Sequence, residues 1–185
     1  MACPITVTKF VGTVSLGLLT GLSYSTSAVT VPSLQLLPTS TTASRCLHEV
    51  KRLNRKHVLR ISSLANTCFL FAYCISPPRR KHPYLLWMCA TSALASYGLD
   101  FWFNRQIGLQ NWFFSVLRDT SGLTLGRKSS AKKEEDLVVV EAEEDVNGET
   151  IQREMVAERR LQCIRAWLSG IALSMGIVGL WGDRS

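Results

Sequence analysis

The segment 58–103 reads VLRISSLANTCFLFAYCIS (58–76), PPRRKH (77–82) and PYLLWMCATSALASYGLDFWF (83–103). Each flanking run is about as long as a bilayer core requires of a helix, roughly 20 mostly apolar residues. The adjacent Pro77 and Pro78 cannot continue a helix, whereas Pro83 suits the first turn of the next one. The segment therefore predicts two spans joined in a tight αα-hairpin, with the basic tip Arg79, Arg80 and Lys81 held in water or among headgroups. Working outward, two further apolar stretches lie at Phe10–Val31 and Leu161–Trp181. Backbone in hydrocarbon must satisfy its own hydrogen bonds, so each stretch is expected to be an α-helix. The fold class that follows is an all-α membrane protein with four transmembrane helices.

That organisation divides the 185 residues into three parts. Residues 1–103 hold three spans with basic connections, 104–160 form a hydrophilic loop, and 161–185 carry the fourth span and a short tail. The loop has a basic block at Gly126–Lys133 and an acidic one at Glu134–Glu149, a composition that predicts a largely disordered segment between helices 3 and 4. Asn111-Trp112-Phe113-Phe114 suggests a piece lying on the membrane, and Tyr97 to Arg105 resembles an aromatic belt. Val31-Pro32-Ser33 opens the first connection. From Ser44 to Arg60 the chain is basic and helix-compatible, either an interfacial helix or a solvated linker.

Lys9, Val11–Leu22 and the small-residue run Ser25–Ala28 imitate a cleavable signal. The apolar stretch continues to Val31, which favours a retained first span. The net charge of +7 reflects cations at helix ends, which suit lipid headgroups rather than nucleic acid. The loops 1–2 and 3–4 hold most of the Lys and Arg, and the positive-inside tendency places them in the cytosol.

Little points to catalysis. The six cysteines form no C-x-x-C pair, His48, His57 and His82 sit in basic loops, and no metal-ligand spacing or cofactor motif is present. The protein is expected to be no enzyme and to need no cofactor. Asp100, Asp183, Arg60 and Arg165 read as helix-end charges able to snorkel. Small residues give a clearer signal: Gly17-x-x-x-Gly21, Gly170-x-x-x-Ser174, and the three-residue spacing of Gly176 and Gly179 permit close helix approach. Packing among the helices of one chain is the preferred reading, and a homo-oligomer the other. Leu137, Val138, Val139 and Val140, flanked by acidic residues, form a short β-prone run able to add to a partner's sheet edge. The run resembles motifs that dock on ubiquitin-like modifiers.

Three pieces of the chain together resemble a known family. They are Thr8-Lys9 with Leu16-Gly17-Leu18 and Gly21-Leu22; Pro77-Pro78 with His82-Pro83-Tyr84-Leu85-Leu86; and Gly179 with Trp181-Gly182-Asp183. The chain looks like the fungal mitochondrial outer-membrane proteins that comprise a mitophagy-associated autophagy-related protein and its paralogue, a suppressor of a cell-division-cycle mutant. The resemblance implies a multi-pass outer-membrane protein acting non-catalytically in selective mitochondrial degradation, with autophagy or outer-membrane proteins as partners beside the lipid bilayer. A small channel or carrier subunit is the alternative, motivated by Ser, Thr and Asn within the spans. The long loop shows no match to the family and no aromatic-x-x-aliphatic receptor motif among acidic residues. The short, glycine-rich last span suits a thin membrane.

Overall fold

The computed structural model describes residues 4–76, 83–103, 105, 108–121 and 148–182, and among these it contains helices and no strand. The elements are α1 (Pro4–Ser25), a π turn at Thr26–Thr30, α2 (Val31–Leu34), α3 (Ser40–Ile75), α4 (Tyr84–Ala93), a second π turn at Leu94–Gly98, α5 (Leu99–Phe103), α6 (Leu109–Ser121) and α7 (Gly148–Gly182). The first π turn has a local cause. Pro32 has no N–H to donate, and the extra residue lets the Val31 N–H reach Thr26 O, five residues back, so the helix passes the proline. Helical structure therefore continues to Leu34, where the sequence predicts a loop from Val31.

Among the described residues three helices are long and apolar enough to cross a membrane: Ile5–Leu34, Ser40–Ile75 and Gly148–Gly182. The fourth expected span, Pro83–Phe103, is helical from Tyr84 but falls outside this class. Thr91, Ser92, Ser96, Tyr97 and Asp100 dilute its apolar character. Two other boundaries differ from expectation. At 36 residues α3 is about 54 Å long, well beyond a hydrocarbon core of about 30 Å. It absorbs the Ser44–Arg60 segment as unbroken helix. α7 begins at Gly148, taking in the stretch from about Thr150 to Arg160 that the sequence allows as helix leading to the last span, and α6 lies within the predicted flexible loop. Both ends of that 104–160 segment are thus helical.

The long elements pack in a ring in which α1 touches α3 and α7, and α4 touches α3 and α7. Neighbours run antiparallel: Gly12 near the start of α1 meets Phe69 near the end of α3, and Gly179 near the end of α7 meets Tyr84 at the start of α4. Two apolar clusters divide the length. Leu16, Leu19, Val58, Phe69, Leu85, Met88 and Ala172 lie in the first. Val31, Ala43, Leu47, Ile151 and Met155 form the second, where α2 and the polar first halves of α3 and α7 meet. The second cluster explains why those charged halves stay helical.

Between the clusters the usual distribution of polarity is reversed. Ser23, Ser62, Ser92, Ser96 and Ser169 are fully buried, while Leu18, Trp87, Trp167 and Val178 are 60–72% exposed. Two of these hydroxyls donate to carbonyls one turn back, Ser96 to Ser92 O (2.8 Å) and Ser169 to Arg165 O (2.7 Å). They also link helices: Ser62 and Ser96 lie 2.6 Å apart, and Thr20 donates to Ser169 at 3.1 Å. Aliphatic groups outside and small hydroxyls inside suit a bundle whose solvent is lipid.

The glycines test this packing. A Cβ at Gly12 would lie 2.6 Å from the Phe69 ring, whereas one at Gly21 would meet nothing within 4 Å. Gly12→Leu should therefore destabilise the detergent-solubilised protein by about 1–3 kcal/mol, and Gly21→Leu should leave it unchanged. Equal melting temperatures for the two variants would refute the assigned α1–α3 interface.

Candidate functional site: a charged cavity at one end of the bundle

α6 is held in place by the charges it covers. Trp112, Ser115 and Asp119 recur at helical spacing on its inner face, while Leu109, Phe113 and Leu117 face outward and are at least half exposed, and Phe114, 68% exposed, borders the cavity described below. Trp112 Nε1 donates to Asp100 Oδ2 at 2.8 Å. The same carboxylate receives a two-pronged contact from Arg55, Nε to Oδ1 and Nη2 to Oδ2, both 2.9 Å. Arg55 Nη1 continues to Ser115 Oγ at 2.9 Å and Asp119 Oδ2 at 3.4 Å. One guanidinium thus joins α3, α5 and α6 in the fork geometry that favours Arg over Lys.

A second polar chain crosses α7. Glu158 accepts from Gln162 Nε2 at 2.7 Å, Gln162 Oε1 accepts from Arg165 Nη1 at 3.1 Å, and Arg165 Nε donates to Ala95 O at 3.1 Å. Arg165 is only 3% exposed. Between the two networks lies a cavity of about 950 Å³ whose lining includes Arg55, Lys56, Asp100, Asp119, Glu158 and Arg165. Among the described residues no group of His, Cys, Asp or Glu could hold a metal ion.

Asp100 and Arg165 are therefore corrections to the sequence reading. They do not snorkel at helix ends: both are buried inside the bundle, and Arg165 is the eighteenth residue of a 35-residue helix. Of the other two charges so read, Arg60 is exposed and donates to Asp119 O at 3.1 Å, and Asp183 lies outside the described residues. Lys9, read as the cation that opens an imitation of a cleavable signal, is also buried, 5.6 Å from the centre of the Tyr84 ring. Periodicity did carry a signal for the inner face of α6, but only burial reveals what it meets.

The other sequence candidates separate clearly. Gly17 faces Leu173, Gly170 faces Thr20, Gly176 lies against Met88 and Thr13, and Gly179 lies against the Tyr84 ring. Gly21 and Ser174 are exposed. Of the hairpin motif, Leu85 is buried in the first cluster and Leu86 points outward, while Pro83 O accepts from the Leu86 and Trp87 N–H groups (3.1 and 3.3 Å). Pro77, Pro78 and His82 lie outside the described residues, as do Leu137, Val138, Val139 and Val140.

Removing one member of a buried pair leaves a charge without its counter-ion. Asp100→Ala should cost about 3 kcal/mol, more than Asp119→Ala, and Arg55→Met combined with Asp100→Leu should recover much of the loss. A double-mutant cycle on thermal unfolding checks this, and additive single effects would show that the two side chains do not interact.

Comparison with known proteins bears on the same residues. The family model described as Autophagy-related protein 33 matches residues 1–107, which include α1 to α5 and thus Arg55 and Asp100. A curated protein of Gibberella zeae named Autophagy-related protein 33 is 34% identical over an alignment covering 97% of this chain and 91% of its own length. No solved structure matches. With its first 107 residues matching the family model and nearly all of its length aligning with that relative, the chain belongs to the Autophagy-related protein 33 family.

Proposed function

We propose that the protein is a multi-pass component of the mitochondrial outer membrane that acts without catalysis in the selective degradation of mitochondria. The observation that carries this reading is the match to Autophagy-related protein 33 along nearly the whole chain. The structure lends it support through three helices able to span a membrane and the outward aliphatic surface around them. The run from Tyr84 to Phe103 packs between α3 and α7 as an antiparallel member of the ring and serves as a fourth span. The end bearing the first halves of α3 and α7 carries most of the Lys and Arg and faces the cytosol.

Function then rests on surfaces. The cytosolic end offers the basic turns of α3, the start of α7 and the acidic–aliphatic run Leu137–Val140 to autophagy or outer-membrane proteins. Gly21 and Ser174, exposed on α1 and α7, leave a small-residue surface for a second copy of the chain. One observation favours a second reading, a small channel or carrier subunit. Buried side-chain atoms of Ser23, Asn54, Asn66 and Ser92 have no hydrogen-bond partner, and polar groups inside a membrane bundle mark solute paths in other proteins. Solute flux through liposomes carrying the purified chain would support that reading, and its absence would leave the first ahead.

The direct test is turnover of a mitochondrial matrix reporter during prolonged respiratory growth in cells lacking this chain, with bulk autophagy as the control. Selective loss of turnover is expected, and normal turnover would refute the role. Deleting Leu137–Val140 should leave membrane insertion intact and reduce recovery of protein partners in a pull-down.

A further inference from the structure

Five cations, Lys51, Arg52, Arg55, Lys56 and Arg165, line the cavity against three carboxylates, Asp100, Asp119 and Glu158, and Arg52 pairs outside it with Glu49 at 3.2 Å. Arg55 is matched by Asp100 and Asp119, and Lys51 by Glu154 at 3.2 Å. Lys56 makes no ion pair among the described residues, and Arg165 has no carboxylate there within ion-pair distance, Asp100 and Glu158 acting on it from further away. Arg165 spends two of its donors on neutral oxygens, Ala95 O and Gln162 Oε1, and its Nη2 has no partner among those residues. The carboxylate of Glu158 is turned to Gln162 instead. A buried guanidinium whose carboxylates stand beyond direct contact is costly, and an anion within its reach would offset that cost.

We infer that this cavity is a binding site for a phosphate-bearing anion, presented by a lipid headgroup or as a soluble phosphate. Buried Arg165 is its deep cation and Lys56 its shallower one. A planar fork beside an ammonium suits a tetrahedral oxyanion, which can take paired N–H donors from one and a point charge from the other. The volume of about 950 Å³ exceeds what a phosphate alone fills and lies within the range of cavities for larger ligands. Phe103 and Phe114, 46% and 68% exposed, are also in the lining, so an apolar surface adjoins the cations. The site lies where α3 and α7 pass from their apolar to their charged halves, at headgroup depth. This inference is independent of the role in mitochondrial degradation, since binding is read on purified protein.

The test uses the full chain in detergent micelles, with dioleoylphosphatidic acid as probe and dioleoylglycerol as its phosphate-free counterpart, bound lipid being read by native mass spectrometry. The phosphate lipid should be retained at least about tenfold more tightly, as hydrogen bonds to charged groups warrant. Lys56→Gln and Arg165→Gln should each remove about that factor, and Arg159→Gln, exposed on α7 outside the cavity, should not. Lys56 has no ion-pair partner among the described residues, so its variant keeps the test valid if Arg165→Gln fails to fold. Displacement by millimolar inorganic phosphate would support the site with a soluble ligand. Retention against that phosphate would support it with a lipid headgroup. Equal retention of the two lipids, or an unaltered Lys56→Gln variant, would overturn the inference.

Discussion

The carboxylate of Asp100 takes donors from two directions, the guanidinium of Arg55 on α3 and the indole of Trp112 on α6. Asp100 is only 5% exposed, and a carboxylate so far removed from water must find its partners in the chain itself. That constraint fixes much of the rest. It sets the register of the fourth helical run against α3, since Ser62 and Ser96 then meet on the same interface. It also turns the chain back after Phe103, so that α6 lies across α3 with its polar face inward and Leu109, Phe113 and Leu117 outward.

Elsewhere the bundle is held by close approach rather than by bulk. Where lipid surrounds a helix, burying a leucine brings little gain over leaving it in the tails, and small residues that bring backbones together matter more. Thr20 with Ser169, and Gly176 beneath Met88, are contacts of that kind. The same logic assigns the glycines. Gly17, Gly170, Gly176 and Gly179 face neighbouring helices of their own chain, and only what is left exposed is available to another copy.

The hairpin and three spans were legible in the sequence because hydropathy is a local property and the Pro77-Pro78 break is read from two residues. The family could be named from short motifs for the same reason, and two of those motifs meet in the fold, the Tyr84 ring lying against Gly179. The buried charges were not legible. Arg165 has charged or polar neighbours at Arg160 and Gln162 and so resembles a helix-end residue, although the helix begins 17 residues earlier. What buries it is α4 and its following π turn, about 70 residues away in sequence. The helical state of 109–121 was hidden likewise, since its inner face is satisfied by a residue 60 positions earlier. The polar first halves of α3 and α7 are helical because Leu47 meets Ile151 and Met155 in one cluster, a pairing no local window contains.

α3 and α7 both run without a break from the aliphatic zone into the charged end, and no loop between those zones absorbs a displacement. Arg55 and Lys56 lie on α3 midway between the two apolar clusters, and Glu158 and Arg165 hold the corresponding place on α7. An anion between them would pull on two continuous helices, each of which reaches from the aliphatic zone to the charged end. Occupancy at one depth thus bears on packing at the other, because the second cluster, Val31 with Ala43, Leu47, Ile151 and Met155, is built from those same helices.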